Sequence, residues 1–337
     1  MISRILPNTR VLCDGMKGQN YWFNGCMEYL MECLGESPDY NYWFFSGVTG
    51  DTFTQIYSQD PTNMVLCYTH NLLDQAINKA FDACGYHFNY ISSVDDRDRK
   101  QYDEQIKESI DQSVPVIAKT KDAQNQDVYG VICGYDDAHF YYLIGDCADA
   151  RVNANKYSAL VFVGERKERP ALSEVYKRMV LDIPTYLSMP STEQYSFGKQ
   201  AFIDWAQSFQ NGSLNHISID DKGFWYTHGD PAFSCWNMHG TYLCMLGTNA
   251  CIDDCLKKAL AFNPEITFIH ELLPLYKKQA MDGFHALIGM QGGFSIKPET
   301  VKDKELMRPI SDKIWELAGI CDDILEVFTR VHPSPNE

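Results

Sequence analysis

The sequence predicts an α+β protein in two parts: a mixed strand-and-helix domain over residues 1–165, then a helical-bundle domain over residues 170–337. Three observations point there. Segments rich in β-branched and aromatic residues fall between residues 115 and 163, and such segments read as strands. Beyond residue 165 apolar residues recur mostly at intervals of three and four, the period of helices with one buried face. Between the two parts, Gly164-Glu-Arg-Lys-Glu-Arg-Pro-Ala171 is charged and carries a proline, as a linker does. The length of 337 residues suits two domains of ~100–200 residues each.

In the first part, Asn24 is the predicted N-cap of a helix with apolar residues at Cys26, Met27, Leu30, Cys33 and Leu34, and Gly35 is its stop. A second helix spans 72–84, with the stripe Leu73, Ala76, Ile77, Ala80, Phe81 and Cys84, ended by Gly85. A third covers 98–112, where Tyr102, Ile106 and Ile110 are four apart and Asp103 pairs with Lys107 on the exposed side. Strands follow at 115–120, 128–133, 139–144 and 159–163, with Gly134-Tyr-Asp-Asp137 as a hairpin turn.

In the second part, Phe197, Phe202, Trp205, Ala206 and Phe209 form one helical stripe, and 237–247 and 251–262 read as two more helices. Asn263-Pro264 supplies an N-cap and N1 proline for a helix to about residue 290, kinked or broken at Pro274. Ile310, Ile314, Leu317, Cys321, Ile324, Phe328 and Val331 mark a final long helix. Four or more such helices in succession predict a bundle. Residues 210–236 show no helical period but hold Phe224, Trp225, Tyr226, His228 and Trp236, which predicts a functional loop or unrecognised strands.

The formal charge is −16, and a protein that tracks phosphates needs a basic face. Nucleic acid and anionic membranes are therefore excluded as expected partners. No run approaches 18 apolar residues, so no membrane span is expected. The start, MISRILPNTR, lacks the apolar core of a signal peptide, and the twelve cysteines follow no tight framework spacing. The expectation is a cytoplasmic protein with reduced thiols. Gly47-Val-Thr-Gly-Asp51 lacks the lysine of a P-loop and reads as a turn. Cys244, Cys251, Cys255 and His239 lack a Cys-x-x-Cys pair and read as core. Neither a cofactor nor a metal is expected.

One segment suggests chemistry. Gln19-Asn-Tyr-Trp-Phe-Asn-Gly-Cys26 leads into the first helix and sets a thiol in its expected first turn, where the helix dipole favours thiolate. Gln19 or Asn20 then supplies a side-chain amide to an oxyanion hole, with the Cys26 N–H as second donor. The alternative is that Cys26 simply begins a buried stripe.

This layout resembles papain-like cysteine folds: a cysteine opening a helix, then a strand ending in Gly-Tyr-Asp-Asp, then a strand ending in Asp146. More narrowly, Cys26-Met-Glu-Tyr-Leu-Met-Glu-Cys-Leu-Gly35, Pro115-Val-Ile and Val131-Ile-Cys-Gly-Tyr-Asp-Asp137 look like the butirosin-biosynthesis H-protein N-terminal family. That family joins a papain-like domain to a helical region, and its named member moves an aminoacyl group from an acyl carrier protein to an aminoglycoside amine. The resemblance implies Cys26 as nucleophile and Asp146 as the acid that orients a histidine. At the histidine's own position this chain has Val128, flanked by Asp127 and Tyr129. Tyr129 can hydrogen-bond there, but a phenol titrates near ~10 and is a poor base. A working nucleophile would then need a base from elsewhere, such as His216, His228 or His239 of the second part.

Two functions are therefore expected. One is cysteine-dependent acyl or aminoacyl transfer in a biosynthetic pathway, on a small-molecule or acyl-carrier-protein-bound substrate. The other is a catalytically silent papain-like scaffold that binds a small molecule or a carrier-protein arm. A cysteine peptidase is third, since proteolysis leans hardest on the imidazole. The sequence fixes neither substrate nor oligomeric state.

Overall fold

A computed structural model of the chain describes residues 4–59, 73–121, 127–145, 148–153, 156–211, 235–249, 251–290 and 303–331. In chain order the elements are β1 (Arg4–Ile5), α1 (Trp22–Cys33), α2 (Tyr42–Thr49), β2 (Ile56–Ser58), α3 (Leu73–Cys84), β3 (Tyr86–Ile91), α4 (Arg99–Asp111), β4 (Val116–Lys121), β5 (Asp127–Tyr135), β6 (Phe140–Ile144), β7 (Arg151–Asn153) and β8 (Tyr157–Arg166). There follow α5 (Leu172–Leu181), α6 (Ile183–Leu187), β9 (Tyr195–Phe197), α7 (Gly198–Gln210), α8 (Cys235–Asn249), α9 (Ile252–Phe262), α10 (Ile269–Tyr276), a π-helical turn (Lys277–Asp282), α11 (Gly283–Ile288) and α12 (Lys304–Val331). The protein is α+β, as expected.

The chain divides into two compact units, and the division is not the single boundary near residue 165. The first unit is Met1–Thr49 with Asp74–Ala171; the second is Gly50–Leu73 with Leu172–Glu337. The chain crosses between them three times, because β2 pairs with β9, register Tyr57 to Ser196, and so belongs with the second unit.

In the first unit an antiparallel sheet runs β3-β8-β4-β5-β6-β7, with β1 added beside β5. Strand side chains alternate between faces. One face carries Val116, Ala118, Val128, Ile132, Phe140, Tyr142, Ile144 and Leu160, packed with Ile106 and Ile110 of α4. α1 packs on β4 and β5, where the Phe23 ring meets Tyr129 edge-on at 6.0 Å. The strands at 115–120, 128–133, 139–144 and 159–163 are present within a few residues; β1, β3 and β7 were not expected.

Helix ends follow local chemistry. At the end of α1, the Gly35 N–H donates to Glu32 O and the Glu36 N–H to Met31 O, with Gly35 at φ 70°. This is the Schellman pattern that a glycine permits. Ser113 plays the same part after α4: its φ is 66°, with bonds from Ser113 N–H to Ile110 O and from Val114 N–H to Ser109 O. Below Gly35, the Glu36 carboxylate is almost enclosed. It accepts from the Tyr86 hydroxyl at 2.5 Å and Arg169 Nη2 at 2.6 Å, and pairs with Arg166.

The second unit is mainly helical but not wholly so, since the β2–β9 ribbon lies within it, packed by α7 and α8. α7 lies along α12, α5 along α9, and α10 against α9 and α12. One expectation fails here. Asn263 does not cap a following helix; it terminates α9, its amide donating to Ser173 O at 3.0 Å and Ala259 O at 3.2 Å. The next helix opens at Ile269, and Pro274 lies inside it. The α-helical path ends three residues later, in the π turn, where the buried Gln279 amide donates to Leu317 O at 3.0 Å. Most of 210–236, with Phe224, Trp225, Tyr226 and His228, lies outside the described residues.

Candidate functional site

α1 begins three residues earlier than its sequence cue. Its N-cap is Tyr21, not Asn24. Asn24 is unavailable as a cap because it is buried and its Oδ1 accepts from Thr49 Oγ1 of α2 at 3.3 Å. Cys26 is thus the fifth residue of the helix, not a member of its first turn. The dipole effect falls off within that turn, so Cys26 has lost most of it.

The surroundings of Cys26 complete the change. Its exposure is 0%, and burial pushes the thiol far above the ordinary range, against smaller opposing effects of a backbone hydrogen bond and Arg10. The Arg10 charge is itself answered by Glu28 at 3.1 Å and Glu32 at 2.8 Å. Next door, Gly25 fits α1 tightly onto the 12–13 segment: a Cβ there would stand 2.1 Å from Leu12 O. That segment is tied in turn to the end of β6, since the Leu12 and Cys13 N–H groups donate to Gly145 O at 3.1 and 3.2 Å.

Gln19 and Asn20, expected to form an oxyanion hole, each make a hydrogen bond within the loop that leads into α1. Gln19 Oε1 accepts from the Asp14 N–H at 2.9 Å, and Asn20 Nδ2 donates to Gly18 O at 3.4 Å. Both bonds close the turn that leads into α1. Asp146, the expected orienting acid, lies outside the described residues.

Val128, the expected histidine position, and its neighbour Tyr129 lie on opposite faces of β5. Val128 turns to the α4 side of the sheet, among Val116, Ala118 and Ile106. Its neighbour Tyr129 turns to α1 and Phe23. A step of one residue along a strand reverses the face, so the position that addresses α1 is Tyr129. That ring is buried, and its hydroxyl meets that of Tyr90. The described histidines of this unit lie elsewhere: His87 on the edge strand β3, and His139 at the β5–β6 turn, 3.3 Å from Asp136 Oδ1. Asp136 organises that turn, accepting from the N–H groups of Ala138 and His139 at 2.8 and 2.7 Å and from the Tyr141 hydroxyl at 2.9 Å. The Gly-Tyr-Asp-Asp motif is therefore a turn-former here.

Of the histidines in the second part, His216 and His228 lie outside the described residues. His239 is buried in α8, and its Nδ1 accepts from Trp205 Nε1 at 3.1 Å. Burial lowers its pKa to about 3, so the ring is neutral at pH 7 and carries its proton on Nε2. Sequence reasoning missed the Trp205 partnership, since the two residues sit 34 apart on different helices.

Among the described residues no group of three or more His, Cys, Asp or Glu is placed to hold a metal ion, and no helix is long and apolar enough to cross a membrane. The chain matches no protein-family profile, and no curated protein is similar to it at a significant level.

Proposed function

We propose that the protein is a catalytically silent papain-like scaffold that binds a small molecule or a carrier-protein arm, with Cys26 a packing residue. The observation that carries this reading is the complete burial of the Cys26 thiol at the fifth position of α1. A nucleophilic cysteine needs its thiolate and access to substrate, and burial opposes both. Tyr129 facing α1 in place of imidazole supports the same reading. The class of ligand rests on the resemblance of residues 10–165 to the butirosin-biosynthesis H-protein N-terminal family. Acyl or aminoacyl transfer at Cys26 also rests on that resemblance and requires the thiol to be uncovered.

The test is the pH profile of iodoacetamide alkylation at Cys26 in the folded full-length chain, read by mass spectrometry with Cys26→Ala as control. The expected result is slow modification without a reactive plateau below pH 8. Full reactivity down to about pH 5 would mean a formed ion pair and would overturn the silent reading in favour of acyl transfer. The binding half is measured separately, by titrating a holo-acyl carrier protein into the wild type and the Cys26→Ala variant. Equal affinities are expected; binding that depends on the thiol refutes the proposed role of Cys26.

A further inference from the structure

We draw no further inference here: the strongest candidate, the pair of buried side chains Gln55 and Ser196 on the α8-facing side of the β2–β9 ribbon, leaves Gln55 Oε1 and Ser196 Oγ without a hydrogen-bond partner among the described residues, and nothing in the structure shows what meets them.

Discussion

Replacing Gly25 by alanine probes how firmly α1 is seated over Cys26. The added carbon would lie 2.1 Å from the Leu12 carbonyl oxygen and 2.8 Å from Cys13 Sγ, well inside the ~3.5–4.0 Å at which carbon contacts are optimal. Retreat is resisted, because Leu12 and Cys13 are both bonded through their N–H groups to Gly145 O. The relief is for α1 to lift. Overpacking of this kind costs about 1–3 kcal/mol, and more where backbone must move. The better helix propensity of alanine returns about 1 kcal/mol. With backbone on one side of the clash the cost sits at the upper end of that range, so a net loss of about 2 kcal/mol is expected. Gly319, on the exposed side of α12, is the control: a Cβ there meets nothing within 4 Å among the described residues, so Gly319→Ala should gain about 1 kcal/mol. Urea unfolding followed by circular dichroism and tryptophan fluorescence reads both, as midpoint shifts at unchanged slope. Lifting α1 should also speed alkylation of Cys26 in the folded protein. Wild-type midpoint and wild-type Cys26 protection in Gly25→Ala would refute the tight seating of α1 on residues 12–13.

The face assignment of β5 is checked by Val128→His against Tyr129→His: the first buries an imidazole in the apolar α4 cluster and should cost about 2–4 kcal/mol, the second should be milder, and the reverse order would reverse the faces. The Glu36 carboxyl resists its burial through the Tyr86 hydroxyl, Arg169 and Arg166, and its pKa is lowered. Its contribution is therefore present above the unfolded pKa of ~4.3 and lost as pH falls through the folded value. Glu36→Gln should cost about 1–3 kcal/mol at pH 7 and flatten the acid limb of an unfolding-midpoint profile; an unchanged limb would assign the acid sensitivity elsewhere. His239 is a base whose folded pKa is depressed to about 3. The unfolded chain takes its proton first, so stability of the second unit should decline from about pH 6.5 downward, and His239→Gln should remove that slope in urea titrations between pH 4 and 7. Ser113→Gly should raise stability by about 0.5–1 kcal/mol, since glycine relieves the left-handed backbone; no gain would mean that the bond from Arg4 Nη2 to Ser113 Oγ outweighs the strain.

Much of the first unit was legible because its cues are local. Gly35 and Gly85 mark helix ends, and the stripes of α3 and α4 sit between polar residues at helical spacing. α2 left no such trace, because Tyr42, Phe44, Phe45, Ser46, Gly47, Val48 and Thr49 are all buried, and a helix buried nearly all round has no amphipathic period to read. β2 and β9 are three residues each and find each other only across a long stretch of chain, which no local pattern encodes. Asn24 and Asn263 misled because asparagine is a good cap in isolation, whereas here Asn24 lies inside α1 with its Oδ1 accepting from Thr49, and Asn263 ends α9 with its Nδ2 donating to Ser173 O and Ala259 O. The site cysteine was placed on the right helix, but its depth depends on the packing around Gly25, which spacing does not reveal.

The three crossings between units bear on the order in which the protein is made. β2 leaves the ribosome early, yet its partner β9 lies about 140 residues further on, a delay of roughly 7–30 s at ordinary rates of synthesis. During that interval a nascent first unit carries, between α2 and α3, a strand whose backbone groups have no sheet to join. An unpaired strand edge is a template for wrong associations. For the same reason, shortening the gene to codon 168 does not isolate the first unit, because the shortened chain keeps β2 and discards the β9 it pairs with. The natural excision is internal: residues 4–49 joined to residues 74–171, which removes both halves of the second unit at once.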